Sequence, residues 1–249
     1  MAKLENTLRV PGSPAKELRM KESPDQFSRR QLLKMGATAA AAACLTGGLE
    51  LAAPLEAHAQ SAMTPDAALA ELMAGNKRFT SGGLTGHEKD LVILRQHTEA
   101  KQEPFAAVLS CADSRVPIEL AFDQTIGHIF VTRVAGNVIT PEIIASLEYG
   151  AAVLGTEVIL VLGHSGCGAV QATIQGKSVP GQISALFPHI QPAIDQAGPN
   201  LEAATKANAR IQAKLLSEAS TVIAGLIKEG KLKVVAGYYD LATGVVALV

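Results

Sequence analysis

Two cysteines and one histidine stand directly after apolar stretches of this 249-residue chain. Cys111 follows the run AAVLS. His164 follows the run VILVLG, and Cys167 comes three residues later, in an H-x-x-C arrangement. Two thiolates and one imidazole form a soft ligand set that suits zinc. Neither loop holds a fourth cysteine or histidine, and an open fourth position is typical of a catalytic rather than a structural zinc site. The ligand set therefore predicts one catalytic Zn²⁺ per chain, with a disulfide between the two cysteines as the alternative.

A carboxylate and a guanidinium accompany the first cysteine, in the segment CADSR that begins at Cys111. Asp113 can accept a hydrogen bond from water or hydroxide on the metal and orient it. Arg115 can keep Asp113 ionised and away from the ion. If Arg115 released it, Asp113 could become a fourth ligand and close the site. We therefore predict that Asp113 and Arg115 form a catalytic pair, with an ordinary surface ion pair as the alternative.

Apolar runs and helical patterns alternate along the chain and must position these side chains. The segments PFAAVLSC, HIFVTRV and TEVILVLG each contain a short continuous apolar run, which is typical of strands buried on both faces of a parallel sheet. Thr140-Pro141-Glu142 marks the start of a helix between the second and third runs. The order strand, helix, strand predicts an α/β fold with a mostly parallel central β-sheet flanked by helices. Functional groups gather at the carboxyl ends of such strands.

The segments before and after these apolar runs also carry sequence signals of helices and strands. Thr64-Pro65-Asp66 predicts a helix from about residue 65 to 79. The segment 201–228 is helical by composition, with a break or bend near Ser217 to Ser220. The last stretch, LKVVAGYYDLATGVVALV, predicts a strand, a turn around Thr243-Gly244 and a C-terminal edge strand.

Four motifs together resemble the β-class carbonic anhydrases over roughly residues 65 to 249. The first two are the Cys-x-Asp-x-Arg segment that begins at Cys111 and Arg133-x-x-x-Asn137. The other two are SLEYG, which begins at Ser146, and GHSGCG, which begins at Gly163. The combination is far more specific than any one spacing, so the chain resembles this family closely.

The resemblance implies a reaction and a site. The reaction is the reversible hydration of CO₂ to bicarbonate and a proton. Zinc would be held by Cys111, His164 and Cys167, zinc hydroxide would attack CO₂, and Asp113 with Arg115 would orient the bound water. The resemblance also implies pairing into homodimers or homotetramers, and a closed form in which Asp113 is the fourth ligand.

A glutamine before the first apolar run also matches the family. Gln102-Glu103-Pro104 resembles the Gln-x-Pro of members whose glutamine amide donates to the substrate, so Gln102 is expected to bind bicarbonate or its transition state. The chain has no Trp, and Val108 stands where regulated members would carry one. This favours a site without bicarbonate regulation.

Other functions stay open beside this hypothesis. Some family members hydrolyse CS₂ or COS, and the same site would serve that reaction. A non-catalytic protein that binds zinc or bicarbonate is an alternative of a different class, although the intact Asp113 and Arg115 argue against it. The loop GHSGCG lacks both the G-x-G-x-x-G spacing and the lysine of a phosphate-binding loop.

The first 59 residues have the order of an export signal. Arg29 and Arg30 precede an uncharged Ala-rich run from Met35 to Leu49, and Ala57-His58-Ala59 fits a cleavage site. The arginine pair looks like a twin-arginine signal, so we expect residues 1–59 to be a signal peptide and 60–249 the catalytic domain. Cleavage after Ala59 and delivery to the periplasm by the twin-arginine machinery would follow. A buried Ala-rich helix, and with it a cytoplasmic enzyme, is the alternative.

Charge and composition exclude other classes of protein. Lys and Arg total 22 against 23 Asp and Glu, a formal net charge of −1, so no basic field attracts nucleic acid or an anionic membrane. Apolar residues make up 48% of the chain, which excludes disorder for its bulk. The Ala-rich run near the N-terminus is too interrupted for a membrane span, and none is expected in the mature chain.

Overall fold

The computed structural model describes residues 63–85 and 102–249, which all belong to one compact unit. The predicted signal peptide, its boundary after Ala59 and the twin-arginine motif lie outside the described residues. Within the described part of the chain, no helix is both long and apolar enough to cross a membrane.

Five strands form one sheet in the order β2-β1-β3-β4-β5. Neighbouring strands pair in parallel from β2 to β4, and β5 pairs with β4 in the antiparallel direction. The predicted fold class, a mostly parallel sheet with a C-terminal edge strand, is thereby confirmed. The strands are β1 Ala106–Ser110, β2 Ile129–Arg133, β3 Val158–His164, β4 Lys233–Tyr239 and β5 Val246–Leu248.

Seven α-helices surround this sheet in the described residues. They are α1 Pro65–Thr80, α2 Ile118–Ala121, α3 Pro141–Glu148, α4 Gly168–Gln175, α5 Phe187–Ala197, α6 Leu201–Ala219 and α7 Thr221–Lys228. A π-helical turn, Tyr149–Val153, continues α3. Every helix that the sequence predicts is present.

The helix boundaries follow from capping. The hydroxyl of Thr64 accepts a hydrogen bond from the backbone N–H of Ala67, and Pro65 is the first helical residue, so α1 begins where predicted. Ser220 separates α6 from α7, and its hydroxyl accepts from the backbone N–H of Ile223. This is the break predicted between Ser217 and Ser220.

Helices cover both faces of the sheet because successive strand residues point to opposite sides. On one face, Val108 of β1 and Leu160 of β3 pack with Leu72 of α1. On the other face, Leu109 of β1 packs with Leu216 of α6, in a cluster that also includes α3 and α7. Strands β1 and β3 are fully buried, which explains their continuous apolar sequences.

A glycine in α1 makes a close contact that tests this packing. A Cβ on Gly75 would overlap the backbone carbonyl oxygen of Phe122, whereas a Cβ on Gly225 in α7 would have no atom within 4 Å. Gly75→Ala should lower the free energy of unfolding by about 2 kcal/mol or more, despite the better helix propensity of alanine. Gly225→Ala should raise it by about 0.5–1 kcal/mol. Urea unfolding of both variants checks this, and a stabilising Gly75→Ala would contradict the packing of α1.

Candidate active site

The two cysteines and the histidine lie at the carboxyl ends of two neighbouring parallel strands. Cys111 directly follows β1, His164 is the last residue of β3, and Cys167 directly precedes α4. Since β1 and β3 pair in parallel register, their ends meet at one edge of the sheet. One ligand atom from each of the three residues lies within 4.8 Å of the other two, and all three residues are buried. This cluster could hold a metal ion.

The ring of His164 is oriented for a ligand on one of its nitrogens. Its Nδ1 lies 2.9 Å from the carbonyl oxygen of Ser165, which assigns the ring proton to Nδ1. The other nitrogen, Nε2, is fully buried and has no hydrogen-bond partner in the described structure. A buried nitrogen with a free lone pair is unfavourable unless something binds it, and a metal cation would do so. The histidine therefore fits a metal site.

Both thiols are free, so the cysteines are not joined by a disulfide. The neighbouring Cys167 thiol lowers the pKa of the Cys111 thiol, and the backbone N–H of Gly136 acts in the same direction. The same pairing, together with burial, raises the pKa of Cys167. Because metal binding needs both sulfurs as thiolates, a cation must displace a proton here, and its affinity should fall as the pH falls.

A tight turn after β2 also contacts the first cysteine. The backbone N–H of Gly136 donates to Sγ of Cys111 over 3.3 Å. Gly136 has a φ of 76°, and a Cβ there would lie 2.8 Å from Cδ1 of Ile190, so only glycine fits. Sequence reasoning missed this donor, although the glycine in the Arg133-x-x-x-Asn137 motif was a usable signal.

Arg133 holds the backbone of the Cys111 loop. Its Nε donates to the carbonyl oxygen of Cys111 over 2.9 Å, and its Nη2 donates to the carbonyl oxygen of Asp113 over 2.5 Å. Charge-assisted bonds of this kind are stronger than those between neutral groups. Arg133 therefore fixes the loop that carries both a cysteine and the acidic residue.

Asp113 and Arg115 form a two-pronged ion pair. Nε and Nη2 of Arg115 donate to Oδ1 and Oδ2 of Asp113 over 2.9 and 2.8 Å, and the backbone N–H of Arg115 donates to Oδ1 over 2.9 Å. The same Nη2 lies 3.3 Å from the carbonyl oxygen of Gly166. The guanidinium thus connects the loop after β1 to the loop between His164 and Cys167.

The carboxylate of Asp113 lies beside the ligand cluster. Its Oδ2 is 3.9 Å from Nε2 of His164, the buried nitrogen without a hydrogen-bond partner in the described structure. Hydrogen bonds from Arg115 hold the pKa of Asp113 well below its usual range, so the group is an ionised acceptor at neutral pH. The side chain of Arg115 is 57% exposed, while the three residues of the cluster are buried. The Asp113–Arg115 pair therefore lies between the cluster and solvent.

Gln102 lies away from the cluster of its own chain. Backbone pairing extends β1 back to Phe105, and the six residue-to-residue steps from Phe105 to Cys111 span about 20 Å. The three residues before Phe105 can reach back by at most about 10 Å. The exposed side chain of Gln102 is therefore at the amino end of the strand, opposite the end that carries Cys111.

The fold and the cluster define an α/β protein with a three-ligand metal-type site at the carboxyl ends of its strands. Among the described residues, Cys111, His164 and Cys167 are the one group of this kind. The sequence profile of the carbonic anhydrase family matches residues 106–246, which include strands β1 to β4, the first residue of β5 and the whole cluster. The chain belongs to the carbonic anhydrase family, and its fold is that of the β class.

Two bacterial carbonic anhydrases are similar to this chain in sequence. A carbonic anhydrase of Mycolicibacterium smegmatis is 34% identical over 195 residues, which cover 74% of this chain and 93% of that protein. Carbonic anhydrase 2 of Mycobacterium tuberculosis is 44% identical over 110 residues, or 44% of this chain. The latter match spans only about half, 53%, of the mycobacterial protein's length.

The fold is also similar to solved structures. A structure of tetrameric β-carbonic anhydrases from Sordaria macrospora superposes with a TM-score of 0.58 and 21% sequence identity. The superposition covers 71% of this chain and 90% of that one. At this identity the likeness concerns the fold.

Proposed function

We propose that this chain is a zinc-dependent carbonic anhydrase that interconverts CO₂ and water with bicarbonate and a proton. The observation that carries the proposal is the position of the Asp113 carboxylate. It is held by Arg115 in two-pronged geometry and lies 3.9 Å from the free nitrogen of His164. A buried three-ligand site with an ionised acceptor on its open side fits catalysis better than structural metal binding.

The donor set fits zinc. Cys111, Cys167 and Nε2 of His164 would hold the ion, since thiolate and imidazole are its preferred ligands and leave one position open. Zinc bound there supplies Lewis-acid activation of water near neutral pH. Two thiolates donate more charge to the ion than imidazoles would, which makes that activation harder. Orientation of the water by a neighbouring hydrogen-bond acceptor then matters more.

The roles of Asp113 and Arg115 follow from their hydrogen bonds. An ionised carboxylate accepts hydrogen bonds and does not donate them, so Asp113 would fix the direction in which a reacting water presents its lone pair to CO₂. Nε and Nη2 of Arg115 both donate to this carboxylate and hold it beside the ligands. The exposed loop around Arg115 is the side by which CO₂ enters and bicarbonate leaves.

Replacing the carboxylate tests this role. Asp113→Asn should lower kcat/KM for CO₂ hydration by about 10–100-fold while the zinc content stays at that of the wild type, because the amide has lost one acceptor but the ligands remain. Cys167→Ala should lose zinc and activity together. Stopped-flow rates and atomic absorption on the same samples give both quantities.

Glu119→Gln is the matched control, because Glu119 is an exposed carboxylate on α2 and the chemical change is the same. It should leave rate and zinc content unchanged. An Asp113→Asn enzyme with the wild-type rate would contradict the role of Asp113. A zinc-loaded wild type without CO₂ hydration would overturn the proposed reaction, and CS₂ or COS hydrolysis would then be assayed.

We also propose that Gln102 acts on the site of a second copy. The length of β1 separates it from the cluster of its own chain, so a contribution to substrate binding requires a homodimer or homotetramer. The similar β-carbonic anhydrases of Sordaria macrospora are tetrameric, which supports an oligomer of this kind.

Hybrid oligomers distinguish the two copies. Gln102→Ala chains keep the metal ligands, and Cys167→Ala chains keep the glutamine, so both homo-oligomers should have low activity. Co-expression should restore activity at those sites where a Gln102→Ala chain supplies the ligands and its partner supplies the glutamine. Hybrids isolated with two different affinity tags and assayed for CO₂ hydration should therefore exceed both parents. Hybrids no more active than a mixture of the parents would contradict action across copies.

For location we propose export through the twin-arginine pathway, with cleavage after Ala59. The arginine pair, the Ala-rich run and the Ala-x-Ala site, in that order, support it. N-terminal sequencing of the protein in cell fractions is the test. A periplasmic protein that begins at Gln60 is expected, and a cytoplasmic protein with an intact N-terminus would contradict export.

A further inference from the structure

A chain of hydrogen bonds runs from α6 to the sulfur of Cys111. Nδ2 of Asn208 donates to the carbonyl oxygen of Gly136 over 2.8 Å, and the N–H of Gly136 donates to Sγ of Cys111 over 3.3 Å. Gln212, one turn further along α6, donates from Nε2 to Oδ1 of Asn208 over 3.2 Å. The two amide side chains are thus connected, through the Gly136 backbone, to the N–H that donates to the sulfur.

Both side chains are buried in the described structure and hold the same turn. Asn208 is 0% and Gln212 is 1% exposed. Oε1 of Gln212 accepts a hydrogen bond from the backbone N–H of Ile139 over 2.8 Å. Side chains of α6 therefore bond the turn at Gly136 and again at Ile139. Nε2 of Gln212 also donates to the carbonyl oxygen of His189 over 2.9 Å, which fixes the amide from a second helix.

The turn between these two anchors needs outside support. Gly136 has a φ of 76° and Asn137 a φ of 45°, so two consecutive residues adopt the left-handed region. That conformation is unfavourable for Asn137, and such backbone persists only where surrounding contacts determine it. The bonds from Asn208 and Gln212 are two such contacts, and they fall on either side of Asn137.

We propose that Asn208 and Gln212 are positioning residues for the metal centre, which hold the left-handed turn so that the N–H of Gly136 stays on the sulfur of Cys111. This inference rests on the proposed metal site and extends it to α6. A hydrogen bond withdraws charge from a thiolate, so the pair governs how much charge Cys111 donates to the ion. The network also pre-orients the sulfur before any metal binds.

Loss of the first link should weaken metal binding more than it weakens the fold. Asn208→Leu keeps the approximate size of the side chain but removes its donor and acceptor. We expect the zinc affinity of this variant, measured by competition with a chromophoric chelator, to fall about 10-fold. Gln212→Met removes the second link and should give a smaller loss in the same direction.

Asn76→Leu is the matched control. Asn76 is also a buried asparagine on a helix, and its Nδ2 donates to the carbonyl oxygens of Ala121 and Gly244 over 2.9 and 2.8 Å, neither of which belongs to the cluster or to the turn after β2. Its replacement should lower the melting temperature at least as much as Asn208→Leu does. Its zinc affinity should stay within about twofold of the wild type, since no bond to the Cys111 turn is lost.

A spectroscopic readout separates positioning from general loosening. In the cobalt-substituted protein, loss of a hydrogen bond to the thiolate raises the energy of the sulfur lone pairs and moves the thiolate-to-cobalt charge-transfer band to longer wavelength. The shift is expected for Asn208→Leu, smaller for Gln212→Met, and absent for Asn76→Leu. If Asn208→Leu does not fold, Gln212→Met against Asn76→Leu decides the question by the same two measurements.

The outcomes distinguish this inference from the proposed function. The positioning role would be overturned if Asn208→Leu and Gln212→Met had the same zinc affinity and charge-transfer band as Asn76→Leu. The proposed metal centre itself would not be affected by that result. A wild-type protein that binds neither zinc nor cobalt at the cluster would instead overturn the proposed function. In that case Cys167→Ala would be indistinguishable from the wild type in the chelator assay.

Discussion

The structure depends on bringing two thiols and an imidazole together in a buried place. Their ligand atoms lie within 4.8 Å of one another, and Nε2 of His164 is buried without a hydrogen-bond partner. Such a cluster is unfavourable by itself, because buried polar atoms without partners destabilise a fold. A cation that binds all three atoms removes this penalty, so folding stability and metal binding should be linked. The parallel pairing of β1 with β3 is what creates the meeting point.

Two kinds of surroundings meet at this point. The ligands face the packed interior, where Gly163 allows α6 to approach His164 closely, since a Cβ there would lie 2.9 Å from Cγ2 of Thr205. Asp113 and Arg115 face solvent and carry opposite charges in two-pronged contact. The buried side therefore sets which ion binds and how tightly, and the exposed side sets how a reacting molecule is oriented. This division fits an enzyme that must exchange small substrates quickly.

The sequence was sufficient to predict the sheet, the helix boundaries and the cluster, because each left a local signal. Continuous apolar runs mark β1 and β3, the serine hydroxyl marks the break at Ser220, and soft ligands after strands mark the site. Contacts between distant segments left no such signal. Asn208 and Gln212 look like ordinary polar positions of an Ala-rich helix, and only the folded chain brings them to the turn after β2. The separation of Gln102 from its own cluster likewise became apparent only from the length of β1.

If the metal cluster carries out the proposed CO₂ hydration, the reaction must stop when the metal is removed and resume when it is returned. The initial rate of CO₂ hydration would be measured by stopped flow for protein as purified under reducing conditions, after removal of metal with a chelator, and after stoichiometric zinc is restored. We expect a rate that is lost with the metal, returns with one zinc per chain, and is absent from Cys167→Ala under all three conditions. Zinc bound at one per chain with no CO₂ hydration at any stage would contradict it.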